Sequence, residues 1–543
     1  MPYLRLLRTV SHLRPRQAVY QILRRLRPCI SVAPATGISL RPGLRFAPSL
    51  LRCCGREPWA FTFLNVRKEF DPSRMDWTSP EQDKLWRYNL HYFDFLHEPE
   101  RTNGQALIES WITAVPQGMP DAWEPFPVSL RLVNWIKYFL AMGEVPALWL
   151  ESLATQARWL RRNIEYHLLA NHYFKNAKAL VFAGVFFEGA EAGRWLELGL
   201  GMLGEELREQ VLPDGGHFER SPMYHCMIFE DCLDLWNLCR GCDVAGLDGL
   251  AADLEALLPR MLDFAKSMTH PDGEIALFND AALGIEASPA RLEEYFFQLG
   301  GTAAGVDRER LRIFPETGYV RMNPRPGDVL IVDGGPIGPN YQPGHAHCDT
   351  LSFELSLGGE RIIVDAGCSQ YIDGEIRQYC RGNRGHNSLT VDGRNQSEVW
   401  GAHRVARRAK PLFLRADESN AVLTFESGHD GYRLLPGRPT HMRRIAWAGN
   451  RIEVRDRVEG VGRHNLELRL HLHPRCTAAV SVDGRVKVRT EGVKLDISSL
   501  AGAVSLEQGW YCPEFGRRLV CQVVTVKTQA ALPWEGGFVL TVE

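Results

Sequence analysis

The spacing of apolar residues changes once along this chain, near residue 300, and that change limits what it can fold into. Between residues 105 and 298 apolar side chains recur every three to four positions, the period of a helix face. Val128, Leu132, Trp135, Ile136 and Phe139 make one such face over 128–140. The spans 153–169, 174–187, 196–211, 223–239 and 247–268 repeat the pattern. The second of these is almost wholly apolar apart from Lys175, Asn176 and Lys178, which predicts a buried helix. From Thr317 onward the period drops to two between Gly and Asp turns, as in 329–332, 351–357, 361–364, 389–391, 443–447, 451–458 and 538–542. Neither stretch can adopt the other's structure without turning its apolar side to water. The fold class read from this is multidomain α+β: paired helices in a bundle or toroid, then a large antiparallel β-sandwich. The expected units are 1–80, 81–310 and 311–543, with the turnover between Gly300 and Pro315.

The stretch from Pro343 to Gly393 gathers polar residues at strand ends. Leu351, Phe353, Leu355 and Leu357 alternate with polar residues, Gly358 and Gly359 allow a reversal, and Asp365 ends the returning strand. If 388–391 reverses once more, His347, Asp365 and His386 meet on one sheet edge. Two imidazoles and a carboxylate suit zinc; the alternative is three unrelated polar residues. Cys348 ranks below the histidines, because an extended backbone turns it to the opposite side.

Net charge is −2 in 543 residues, which gives no ground for nucleic-acid binding and leaves an acidic substrate open. Charge is uneven at the start: residues 1–56 hold eleven Arg and no acid. Leu4, Leu7, Val19, Ile22, Leu23 and Leu26 fall at helical spacing there, with no uninterrupted apolar run of the kind a secretory signal or a membrane span needs. Three readings stand: a basic amphipathic helix on an anionic membrane surface, a transit peptide, or a helix packed on the body with its arginines in solvent. The thirteen cysteines, Cys53–Cys54 among them, show no repeated spacing and, without an export signal, read as mostly reduced thiols in the cytoplasm, with peripheral membrane association resting on the first of those three readings. Residues 57–100 are rich in aromatics and broken by proline, as a segment wrapping the next unit would be.

Three polar clusters interrupt the helical part. One is Asn171-His172-Tyr173. Another runs from Asp214 to His225, where Gly215 and Gly216 make a loop and Pro222 opens a helix, placing Tyr224 and His225 in its positive first turn. The third is Trp123-Glu124-Pro125-Phe126-Pro127, ahead of Arg131. Trp123, Glu124, Arg131, His217, Glu219 and His225 are the candidate substrate-binding side chains. Each has a structural alternative: a cap, a satisfied core hydroxyl, a solvated acid.

The ordered set ANHYFKNAKALVFAG, DGGHFERSPMYH, GHAHCDTLSFEL, IIVDAG and RGHNSLTVDG resembles the heparinase II/III-like polysaccharide lyases over roughly residues 80–480. NLHYFDFL and WEPFPVSLRLVNW look like the branch found with bacterial capsule and exopolysaccharide genes. The resemblance implies an N-terminal (α/α) toroid, a C-terminal β-sandwich and β-elimination on a uronic-acid-containing polysaccharide. It implies catalytic roles for Tyr224, Asn171, His172 and His345, and zinc on His347, Asp365 and His386. A tyrosine base needs positive charge beside it, which the helix N-terminus and His225 are expected to supply. Lys175 stands where some heparinase-type members have an acid, which argues against carrying over one member's substrate. Two alternatives accompany the lyase: a glycan-binding part of a polysaccharide-assembly system, and a metal-dependent glycoside hydrolase using Glu124 and Glu219.

Overall fold

The computed structural model describes residues 2–26, 30–51, 57–99, 101–302 and 309–543. The Cys53–Cys54 pair and residues 303–308 of the expected turnover lie outside them. Two short helices, α1 (Pro2–Val10) and α2 (Pro15–Leu26), come first. A hairpin of β1 (Ala60–Phe63) and β2 (Val66–Glu69) follows, with Phe61 and Phe63 packed among Phe70, Trp86 and Phe95. Then come α3 (Lys84–Tyr92), α4 (Gly104–Ala114), α5 (Pro125–Leu140), α6 (Ala147–Arg162), α7 (Ala170–Phe186), α8 (Ala190–Gln210), α9 (Pro222–Arg240), α10 (Leu247–Ser267) and α11 (Pro289–Gln298). Neighbouring helices pack in pairs, α5 on α6 and α7, α7 on α8, and α9 on α10, giving an (α/α) toroid.

The α7–α8 contact is the closest of these, and two glycines allow it. A Cβ on Gly184 would lie 2.5 Å from the Leu196 nitrogen, and one on Gly199 would lie 2.9 Å from that of Val181. Helix α6 stops at Arg162 rather than running to 169 as its apolar spacing predicts. The chain turns instead, with Leu169 and Ala170 both left-handed at φ +62° and +52°, and α7 starts afresh at Ala170.

The strands begin with a five-stranded antiparallel sheet in sequence order: β3 (Leu311–Phe314), β4 (Tyr319–Met322), β5 (Val329–Asp333), β6 (Phe353–Leu357) and β7 (Glu360–Ile363). Phe314, Tyr319, Val329 and Ile331 on one face pack against Phe264 of α10 and Met268 just beyond its end, joining the two halves. Polar contacts reinforce that joint: Tyr319 donates to the Arg220 carbonyl at 2.7 Å, and Asp214 accepts from the Thr317 amide at 2.7 Å. The opposite face, through Val332, Phe353 and Leu355, enters the sandwich core with Trp447, Leu468 and Phe538.

One expected pairing is corrected. The strand β8 (Leu389–Val391) does not join β6 and β7; it pairs with Arg463–His471 in a separate four-stranded sheet. Helix α12 (Glu375–Arg381) lies in the connection and carries the chain to the other layer. His386 still reaches the edge of the first sheet, because Asn387 ties the layers together. Its amide donates to Phe353 and Val364 carbonyls at 2.8 and 2.9 Å, and its oxygen accepts from the His471 amide at 2.7 Å. An eight-stranded sheet from Pro411–Ser419 to Thr477–Val480 completes the sandwich.

The ten cysteines among the described residues are free thiols, and Cys348 points its sulfur to the Ser397 carbonyl, away from the histidines. Among the described residues no helix is long and apolar enough to cross a membrane.

Candidate functional site

A cleft of about 810 Å³ opens between the helical half and the sandwich. Two helix starts face one end of it. The left-handed pair Leu169–Ala170 aims the first turn of α7, so that Asn171 and His172 line the cleft. Arg220, also left-handed at φ +61°, precedes Ser221, whose hydroxyl caps α9 by accepting from the Tyr224 amide at 3.4 Å. Tyr224 therefore sits in the first turn of α9, as the proline at 222 predicts. Left-handed non-glycine residues cost on the order of 1–3 kcal/mol each, and such strain concentrates where side-chain direction matters.

From the sandwich half comes His345. Its ring stacks on that of Tyr224, with centroids 4.0 Å apart and planes 30° apart. Asp280 anchors it, its Oδ2 lying 3.0 Å from His345 Nδ1. The same carboxylate receives His347 Nε2 at 2.8 Å and the Arg377 guanidinium on both oxygens. Burial works against the Asp280 charge, but Arg377 and the hydrogen bonds from both histidines outweigh it and hold its carboxyl well below the usual carboxylate range. An ionised carboxylate only accepts, so His345 carries a proton on Nδ1, and Nε2 is the ring nitrogen not committed to Asp280. That nitrogen lies 3.9 Å from Glu219.

Tyr224 differs from expectation in its protonation. Burial drives its phenol well above the usual range, Tyr371 offsets part of this through a 2.9 Å hydroxyl–hydroxyl contact, and Asp280 and Glu219 push it further up. His225 gives no help, because its Nε2 faces the Met261 carbonyl at 2.9 Å and burial brings it down to about 4. The phenol is a proton donor at rest. His172 meets Glu165 at 3.2 Å and stacks on Phe126 at 4.4 Å. Burial opposes ionisation of Glu165, but His172 foremost lowers its carboxyl overall.

None of the six expected substrate-binding side chains lines the cleft. Trp123 stacks on Trp111 and meets Trp159 edge-on. Arg131 is fully buried, its guanidinium on Gln156 and the His91 carbonyl. Glu124 is held by Lys84 and the Tyr88 hydroxyl. His217 bonds Gln210 in the core, and His225 faces α10. Glu219 comes closest: it is 2% exposed, behind His345, and burial raises its carboxyl. The Glu124–Glu219 pair needed for glycoside hydrolysis therefore does not line the cleft. Most of these side chains are spent on contacts within the protein, which a sequence cannot distinguish from ligand contact. Asp280, Tyr371, Arg377 and His403 were missed. The one signal for Asp280 is Asn279–Asp280 interrupting the apolar run 275–283, where Asn279 is left-handed at φ +57°.

His347, Asp365 and His386 are all fully buried beside this centre. His386 Nδ1 meets Asp365 at 2.8 Å, and the two imidazoles are 5.4 Å apart. His347 Nδ1, His386 Nε2 and Asp349 Oδ1 are buried without a hydrogen-bond partner. Uncommitted ring nitrogens whose opposite nitrogens are fixed by carboxylates are the donor chemistry of a zinc site. Among the described residues, however, three ligand atoms converge within 4.8 Å only at Asp280, His345 and His403.

The far end of the cleft gathers three lysines around two aspartates. Lys175 and Lys178 both meet Asp231, at 2.8 and 2.7 Å, and Lys178 also meets Asp234 at 2.6 Å. Lys137 completes the cage on Asp234, to which Tyr295 donates at 3.2 Å.

Comparison with known proteins agrees with this architecture. Residues 67–296 match the model described as heparinase II/III N-terminus, and residues 306–535 match that of the heparinase II/III-like C-terminal domain. A heparin-sulfate lyase of Pedobacter heparinus is 24% identical over 317 residues, 52% of this chain and 47% of the relative. The chain thus spans about half the length of that relative. The FtsZ-localized protein C of Caulobacter vibrioides is 26% identical over 452 residues, 77% of this chain and 74% of the relative. A crystal structure of heparinase III superposes with a TM-score of 0.67 at 19% identity, covering 87% of this chain and 80% of that one.

Proposed function

The chain belongs to the heparinase II/III family, and from that membership we propose that its cleft cleaves a uronic-acid-containing polysaccharide by β-elimination. One observation carries the reading: a phenol from the helices and an imidazole from the sandwich, stacked at 4.0 Å on a wall shared with Asn171 and His172.

Elimination breaks C5–H and C4–O4 and leaves a C4=C5 double bond. The C5 proton is poorly acidic, because the neighbouring carboxylate is a weak electron sink, so the site must stabilise the enediolate-like charge that develops. In this reading Asn171 and His172 donate to that carboxylate, aided by the positive end of α7. His345 Nε2 takes the C5 proton, and Asp280 stabilises the imidazolium that forms. Tyr224, kept protonated by burial, gives its proton to O4 as the bond breaks. A phenol kept protonated by burial and an imidazole whose Nδ1–H is committed to Asp280 set this division of roles.

Lys137, Lys175 and Lys178, three lysines on two aspartates, stand with Arg291 along the cleft wall, where basic side chains suit an acidic polymer. The proposed substrate is a uronate polymer. Incubation with a panel of uronate polymers should raise ultraviolet absorbance from the conjugated product on at least one of them. Binding with no absorbance rise on any of them would leave a glycan-binding protein and refute the lyase.

Zinc belongs to the same proposal. His347, Asp365 and His386 would hold it, with Asp349 at hand, and its charge would brace the loop that carries His345. Metal analysis of the purified protein should find about one zinc per chain, lost in His386→Ala together with several degrees of thermal stability. Zinc-free protein of undiminished stability would remove the metal from the account.

A further inference from the structure

Helices α1 and α2 are held to the body by polar contacts. In α1, Arg5 and Arg8, each nearly half exposed, meet Glu398, and Thr9 accepts from the Trp400 indole at 3.1 Å. Just before α2, Arg14 meets Glu209; within it, Gln17 reaches the carbonyls of Leu168 and Tyr341, and Arg24 meets His167. The arginines stay at the solvent edge, as expected of a packed helix, but the apolar face looks out as well. Tyr3 is 80% exposed and Leu7 65%, with Leu4 and Val10 beside them. Ile22 is 60% exposed and Leu26 75%, with Val19 and Leu23 completing an i, i+3, i+4, i+7 stripe. A stripe this regular, turned wholly to solvent on two successive helices, is not scattered surface hydrophobicity.

We infer that this helical hairpin docks the protein on an anionic lipid surface. Charge selects that occupant: residues 2–26 contain six arginines and no acid, and even Arg5, Arg8 and Arg14, which meet Glu398 and Glu209, remain close to half exposed beside the apolar stripe. Pairing with the same face of a second copy would set one arginine-rich hairpin against another. Length sets the mode of binding. Helices of 9 and 12 residues extend about 14 and 18 Å, well short of the roughly 30 Å hydrocarbon core, so they lie along the interface. The underside of α2 rests on Leu168 and Tyr341, in the loops leading to Asn171 and to His345. Docking therefore sets the cleft beside the membrane, whatever chemistry the cleft performs.

Vesicle flotation of the full chain tests this. The protein should float with phosphatidylcholine vesicles containing phosphatidylglycerol, about tenfold more than with phosphatidylcholine alone, and added salt should weaken it. The double variant Leu7→Glu, Leu23→Glu should lose about tenfold or more of that flotation, with its thermal unfolding unchanged because both positions are exposed. Absence of flotation, or flotation that the double variant leaves intact, overturns the inference. So does a wild-type dimer in light scattering that the double variant splits, which would assign the ridge to a second copy.

Discussion

Replacing Tyr224 with phenylalanine lowers turnover by about a thousandfold on whichever uronate polymer the protein cleaves, within the range expected when a positioned proton donor is lost. The ring remains, so its 4.0 Å stack on His345 and the packing of the α9 start are retained. Only the hydroxyl disappears, together with its 2.9 Å contact to Tyr371. Leaving the Tyr371 hydroxyl without that partner costs about 1–3 kcal/mol, so the unfolding midpoint drops modestly while kcat collapses. KM stays close to the wild-type value, because the carboxylate contacts assigned to Asn171 and His172 are untouched. Steady-state kinetics by ultraviolet absorbance provide the check. A Tyr224→Phe enzyme within threefold of wild-type kcat would show that the phenol is packing, and the proton would have to reach O4 from another group.

Asp280→Asn damages both stability and turnover, for one electrostatic reason. Asp280 accepts from His345 and His347 and faces Arg377 with both oxygens, and the carboxylate, His347 and Arg377 are all buried. An amide cannot balance the guanidinium, which is 1% exposed, so the protein loses about 3–5 kcal/mol. The amide also ceases to fix the Nδ1–H tautomer of His345, and kcat falls by about a thousandfold or more. The pH dependence follows from the direction of the shift. The folded carboxyl lies well below its ordinary value, so its stabilisation is complete above about pH 4 and is lost only as pH falls through the depressed folded value. The stability gap between wild type and Asp280→Asn should be flat from about pH 5 to 8 and close only on strong acidification. Urea unfolding of both proteins across that range measures it. An unchanged midpoint would mean that Arg377 finds another counter-charge, and the anchoring role given to Asp280 would fail.

The two halves, and most helices within a few residues of their ends, are legible in the spacing of apolar residues, because 3.6 and 2.0 are the only periods that bury one side of a regular backbone. The start of α9 was legible too, from Pro222 and the glycine loop before it. The end of α6 was not: the apolar spacing continues to 169, while the chain leaves the helix at Arg162 so that Asn171 can be aimed at the cleft. Helical propensity gave way there to a strained turn, which periodicity does not record. The layer of β8 was missed for a related reason. Local alternation predicts a strand but not its partner, and α12 in the connection moves it to another sheet.

What the sequence by itself determined, then, was everything that repeats: the helix period, the strand period, the break between them, and the polar clusters standing out against both. What only the tertiary structure decided was direction and charge. Trp123, Arg131, His217 and His225 carry the chemistry of binding residues and spend it on the core. Asp280, one acid in an apolar run, turned out to hold two histidines and an arginine. The same holds for the N-terminal helices, whose amphipathy is plain in the sequence while the side that meets the protein is not. Periodicity says that a helix has two faces; only the surface it lands on, here acids and carbonyls rather than an apolar groove, settles which one is left to the outside.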